Sequence, residues 1–154
     1  MIVYLVRHAQ AGRASNDSER LLTEKGKEEA RWVAGRIART GAPARIICAS
    51  PHLRARETSE LIAEGQGGAT VEVVSELAPG ADVGRILDVI ERRAAQGPIC
   101  LVGHMPDLGE LAAFFSWGKR GRVIDLATGG VVCAEIGGCG EKREFSVKWI
   151  DSPE

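Results

Sequence analysis

Leu5-Val6-Arg7-His8-Ala9-Gln10-Ala11 is the stretch on which the reading of this chain turns. It closes an apolar, β-branched run, Ile2–Val6, of the kind that forms a strand buried on both faces. It then passes abruptly into a basic pair. The same change occurs twice more. Arg45–Ala49 is a short apolar run followed by Ser50-Pro51-His52-Leu53-Arg54, and Ile99–Val102 is followed by Gly103-His104-Met105-Pro106. All three histidines of the chain therefore stand just beyond an expected buried strand.

Between these runs the spacing is helical. Thr23 is placed to cap a helix carrying Ala30, Val33, Ala34 and Ile37 on one face, which Gly41 and Pro43 stop. Ser50-Pro51 reads as a second helix start, a capping hydroxyl before a proline that needs no N–H; Leu53, Leu61 and Ile62 would point inward. After Gly65, Gly67 and Gly68 comes a third strand, Thr70–Val74. Asp82 caps a helix with Val83, Ile86, Leu87, Ile90 and Ala94 at helical spacing, broken by Gly97-Pro98. Pro106 opens another, with Leu108, Leu111, Ala112 and Phe115 on one face. Val131–Ile136 and Phe145–Ile150 are late strands, the last alternating as an edge strand does. Ala11–Arg20 is a polar loop. This alternation predicts one α/β domain over residues 1–154, a three-layer α/β/α sandwich on a mostly parallel sheet of about six strands.

Composition narrows the partners. Among 154 residues, 20 Lys and Arg nearly balance 21 Asp and Glu. No whole-surface field then favours nucleic acid or an anionic membrane, and an anion site must be built locally. Cys48, Cys100, Cys133 and Cys139 form no C-x-x-C pair and read as reduced thiols of a cytoplasmic protein. With three histidines and no clustered ligands, neither a metal nor another cofactor is expected. Met1–Val6 is too short for a signal or a membrane span, and no longer apolar run follows.

In open α/β sheets ligands bind beyond the carboxyl ends of the strands. Arg7, His8, His52, Arg54 and His104 are all expected there, and such a rim suits a phosphoryl group. Guanidinium forks stay charged and match its oxygens, and the first turn of a helix adds free N–H groups. A neutral imidazole can attack phosphorus. Flanking guanidinium groups should hold His8 neutral, and its second ring nitrogen then needs a fixed acceptor such as a backbone carbonyl.

These motifs resemble those of the histidine phosphatase superfamily, and within it the SixA-type phosphohistidine phosphatases. The family's Arg-His-Gly stands here as Arg7-His8-Ala9, and its Leu-Thr-x-x-Gly as Leu22-Thr23-Glu24-Lys25-Gly26. Its Ser-Pro-x-x-Arg-Ala-x-x-Thr runs intact from Ser50 to Thr58, and its Gly-His-x-Pro from Gly103 to Pro106. Thr128-Gly129-Gly130-Val131 is also similar to the SixA group. The resemblance implies a phosphoglycerate mutase-like fold and a phosphatase with a covalent phosphohistidine intermediate. It implies His8 as nucleophile, Arg7 and Arg54 on the phosphoryl oxygens, and His104 completing the pocket. Arg20 matches a further phosphate-binding arginine.

Two departures bear on substrate. Ala9 replaces the family glycine, which matters if that position needs positive φ. The segment that often carries a glutamate general acid is only Ser75–Ala81, with Glu76 and Asp82 as candidates. A short segment implies an open site, suited to a phosphohistidine protruding from a partner protein. A small phosphate ester is the alternative substrate.

Other readings compete. Cys48-x5-Arg54 fits the signature of cysteine-dependent phosphatases, although its apolar strand should raise the thiol pKa. A phosphoprotein-binding module without turnover would keep the same residues. Gly26-Lys27 and Gly118-Lys119 lack the rest of a P-loop. His52 is expected to face solvent, Glu76 to be a surface or capping carboxylate, and Trp32, Trp117 and Trp149 to be packing residues.

Overall fold

The computed structural model describes residues 1–138 and 140–153. Among them, six strands form one sheet: β1 (Ile2–Arg7), β2 (Ile46–Ala49), β3 (Thr70–Val73), β4 (Ile99–Gly103), β5 (Val131–Gly137) and β6 (Glu144–Asp151). Their order is β3-β2-β4-β1-β5-β6. The pairs β2–β3, β2–β4 and β1–β4 are parallel, whereas β5 runs antiparallel to both β1 and β6. The α-helices are α1 (Glu24–Ala38), α2 (Leu53–Glu64), α3 (Val83–Glu91) and α4 (Asp107–Trp117). This is the expected α/β architecture, with β6 at an edge as its alternation suggested.

Handedness accounts for the layers. The chain moves outward from β1 to β2 to β3 through α1 and α2, then returns to β4 through α3. Right-handed crossovers put helices of opposite travel on opposite faces. Tyr4, Val6, Ile47, Cys100 and Val102 accordingly share a core with Val33, Ile37, Ala55 and Ile62 of α1 and α2. The alternate residues Val3, Leu5, Cys48, Ile99 and Leu101 pack against Ile86 and Ile90 of α3 and Leu108, Leu111 and Phe115 of α4. Period-two alternation along strands buried on both sides produces both cores.

Local expectations need amendment in places. Thr23 and Asp82 do cap α1 and α3, accepting from Gly26 N and Gly84 N. Ser50 does not cap α2; His52 holds that position, without a side-chain bond. On α2 only Ile62 of the three expected apolar residues is fully buried, with Ala55, Thr58 and Ser59 also buried on this helix. Helix α3 ends at Glu91, and Ala94 falls in an exposed 3-10 turn. Trp117, the last residue of α4 before its Gly118 cap, is 52% exposed, under the Arg122 guanidinium. The buried cysteines Cys48, Cys100 and Cys133 are free thiols. Cys139 lies outside the described residues. Among the described residues no helix is long and apolar enough to cross a membrane.

Candidate active site

The strand order makes the site. β2, β4 and β1 are neighbours, so residues that follow their carboxyl ends emerge side by side. His8 N donates to Gly103 O at 3.0 Å and Ser50 N to Val102 O at 2.9 Å, so the ladder continues one residue past the strands on either side of β4. His8, Arg54 and His104 are buried at 8%, 5% and 3% exposure, and the His8 and His104 ring centroids are 5.3 Å apart.

The backbone around His8 is pinned from several directions. Arg7 N donates to Gly130 O, and Gly129 N donates back to Arg7 O at 3.1 Å; Gly129 makes this turn at φ +70°, where a side chain would be strained. Ala9 N donates to Thr58 Oγ1 at 3.0 Å, and Thr58 in turn donates to Arg54 O, tying the loop after His8 to α2. Glu29 accepts from Gln10 N and from Thr128 Oγ1. The Leu-Thr-x-x-Gly segment docks here too, and a Cβ on Gly26 would stand 2.0 Å from Gln10 O. Among the described residues no non-glycine has positive φ, so Ala9 is accommodated without reshaping the loop.

His8 Nδ1 is 2.8 Å from Ala9 O, the expected backbone acceptor. A carbonyl only accepts, so Nδ1 carries the proton and Nε2 keeps its lone pair. Arg54 Nε donates to that Nε2 at 3.2 Å. Burial pulls the His8 pKa down to about 4, with Arg54, Arg7 and Arg20 adding to it against the Ala9 hydrogen bond. Neutrality was expected from the arginines; the larger cause is desolvation.

His104 is neutral for the same reasons, pulled down to about 3 by burial and then by His8, Arg54 and His52. Its Nε2 lies 2.7 Å from Ser50 Oγ, which itself accepts from His52 N at 3.3 Å. Ser50 is fully buried and has its own hydrogen to give to Nε2. That places the imidazole proton on Nδ1, an assignment made from the hydrogen-bond pattern. His104 Nδ1 and Arg7 Nε are both buried and without a partner among the described residues, while Arg7 Nη1 donates to Leu126 O at 2.7 Å. Buried donors of this kind are suited to an incoming oxyanion.

Three further residues reach this rim. Arg20 is held by the loop, its Nε donating to Gly12 O at 2.8 Å. His52, expected in solvent, is half-buried, with its ring centroid 5.2 Å from that of His104. Asp17, which no motif singled out, meets Arg54: its carbonyl accepts from Nη1 at 2.7 Å and its Oδ2 from Nη2 at 3.1 Å. Its Oδ1 also pairs with Arg20 Nη1 at 3.3 Å. The signal that could have found it is the three-residue offset from Arg20, which a single polar loop hides.

The carboxylates of the 75–82 segment are engaged elsewhere. Glu76 pairs with Arg92, and Asp82 accepts from Gly84 N and faces Arg120 at 3.7 Å. Cys48 is buried in the core on the α3–α4 face, opposite the α2 face that carries Arg54, and burial raises its thiol to about 11. The C-x5-R reading therefore has no thiolate near its arginine.

A family profile described as Histidine phosphatase superfamily (branch 1) matches residues 3–79. An uncharacterized protein of Picosynechococcus sp. is 37% identical over 137 residues, spanning 86% of this chain and 83% of that protein. The phosphohistidine phosphatase SixA of Escherichia coli is 31% identical over 117 residues, 73% of each. The solved structure of the protein histidine phosphatase SixA complexed with tungstate superposes with a TM-score of 0.86 at 26% identity, covering 99% of this chain and 97% of that one.

Proposed function

The chain belongs to the histidine phosphatase superfamily, and from that membership we propose that it removes phosphoryl groups from phosphohistidine on a partner protein, residues 1–154 acting as one catalytic domain. The observation that carries this is the held tautomer of His8: Nδ1 committed to Ala9 O, and Nε2 unprotonated between a guanidinium and a second neutral histidine.

Nε2 attacks phosphorus, and the resulting cationic imidazole is steadied by the Ala9 carbonyl. Arg7, Arg54 and Arg20 gather the equatorial oxygens, and His104 Nδ1–H donates to one of them. These groups supply the charge that phosphoryl transfer requires, and no metal is called on. Water then displaces the group from His8 as inorganic phosphate.

Phosphohistidine is favoured over a phosphate ester by the leaving group. An alkoxide needs a positioned acid, and Glu76 and Asp82 are both spent on structural partners. An imidazole departs without one.

Incubation with a phosphohistidine-bearing protein, quenched in base, should trap a base-stable, acid-labile phosphoryl group on His8. His8→Ala should lose both the trap and the turnover. Faster turnover of phosphoglycerate than of phosphohistidine would overturn the substrate, and the absence of any trapped group would overturn the covalent route.

A further inference from the structure

We propose that Asp17 is the specificity residue of this site: its carboxylate, held at the mouth by Arg54 and Arg20, accepts the N–H of the phosphorylated imidazole and so selects phosphohistidine over phosphate esters. This rests on the phosphohistidine reading above and deepens it.

A carboxylate beside a phosphate clamp is at first sight misplaced, since it repels a dianionic ligand. Its contacts show how it is kept. Arg54 Nη1 and Nη2 both turn to Asp17, one to its carbonyl and one to Oδ2. Only the Nη1–Nη2 end of the guanidinium is used in this way. Nε, on the adjoining edge, faces His8. Asp17 and His8 therefore share one guanidinium, and of the two Asp17 is the one open to solvent, where a substrate side chain can reach it. It is 61% exposed at the side chain, and two ion pairs leave part of its four lone-pair positions free. His52 Nδ1 stands 3.6 Å from Oδ2, too far for a hydrogen bond, and has no other partner among the described residues. Arg20, Arg54 and His52 are the charged or titratable groups facing Asp17 in these contacts. Desolvation works against its ionisation, but the hydrogen bonds from Arg20 and Arg54 outweigh it, and its carboxyl titrates below the usual range.

The chemistry is complementary. The ring of phosphohistidine takes a proton from solvent on its free nitrogen, and that N–H is the donor Asp17 lacks. When His8 Nε2 forms its bond to phosphorus, the substrate N–P bond breaks and its electron pair returns to the departing nitrogen. The imidazole leaves neutral, with its proton still on the other nitrogen. An ionised partner raises the pKa of the substrate ring and so keeps it in the form that departs. A phosphate ester has no N–H to offer and meets only the repulsion.

The test measures kcat/KM for a histidine-phosphorylated peptide and for p-nitrophenyl phosphate in wild type, Asp17→Asn and Asp17→Ala. Asp17 is exposed and its backbone carbonyl still holds Arg54 in both variants, and thermal unfolding checks that each folds. Loss of a charge-assisted partner should cost about 10- to 100-fold on phosphohistidine. The loss on the ester should be at least about ten times smaller. In kcat against pH, which reports the bound complex, the alkaline limb on phosphohistidine should move to lower pH, because the bound ring gives up its proton more readily without Asp17. Equal losses on both substrates, or an unmoved limb, would reduce Asp17 to a support for Arg54 and overturn the inference alone. A wild type that is phosphorylated on His8 by the ester but never turns over phosphohistidine overturns the reading beneath it as well.

Discussion

The loop between β1 and α1 and the segment between β3 and α3 both emerge at the carboxyl end of the sheet, and both carry acidic residues there. They employ them differently. In the first, Asp17 turns its carboxylate to the guanidinium that touches His8. In the second, Glu76 and Asp82 serve Arg92 and the first turn of α3, and Asp107 of α4 fastens the segment by accepting from Gly80 N and Ala81 N at 2.9 and 3.0 Å. A carboxylate near a phosphate site is thus assigned by the donors it meets, and proximity in sequence to a family's acid position says little.

The contrast is most easily broken at Arg54, the residue through which the first loop reaches His8, the proposed nucleophile. Arg54→Ala should lower kcat/KM by about 10²–10³, the usual cost of an oxyanion donor, or more because it also orients Nε2. Steady-state kinetics on any substrate that phosphorylates His8 checks this, and a loss under ten-fold would remove Arg54 from the chemistry.

Acid distinguishes the two regions next. The folded pKa values of His8 and His104, about 4 and about 3, lie below an unperturbed histidine, so the unfolded chain binds more protons between them. Their contribution to stability is complete above about pH 6.5 and is lost as pH falls, at up to about 1.4 kcal/mol per unit for each. His8→Asn should make this slope shallower in urea titrations between pH 6.5 and 5. An unchanged slope would show that His8 is not buried neutral.

Asp107→Ala strands two backbone N–H groups and should cost about 2 kcal/mol of unfolding free energy, with kcat of the folded protein largely kept. A selective loss of kcat instead would bring the second segment into the chemistry. Ser50→Ala removes the donor that holds the His104 tautomer; kcat should fall about ten-fold with KM little changed. The smallest effect belongs to Glu76→Gln, within about 0.5 kcal/mol in stability, as for other exposed pairs, and with turnover unchanged. A clear loss of turnover on phosphate esters would restore Glu76 as an acid and spoil the contrast.

Among the described residues, periodicity and punctuation were enough for each strand, for the four helices to within a few residues, and for setting Arg7, His8, Arg54 and His104 on one rim. These are short-range properties: alternation reports burial on two faces, and caps and prolines act within one turn. Tertiary structure alone decided the strand order that brings β2, β4 and β1 together, and with it the use of Ser50 on His104 in place of a helix cap. It also decided the inward turn of His52 and the closure of Asp17 onto Arg54. Each of those side chains had a plausible local partner or plain solvent as its alternative. The choice was made by donors and acceptors dozens of residues away, whose positions exist only once the sheet has formed.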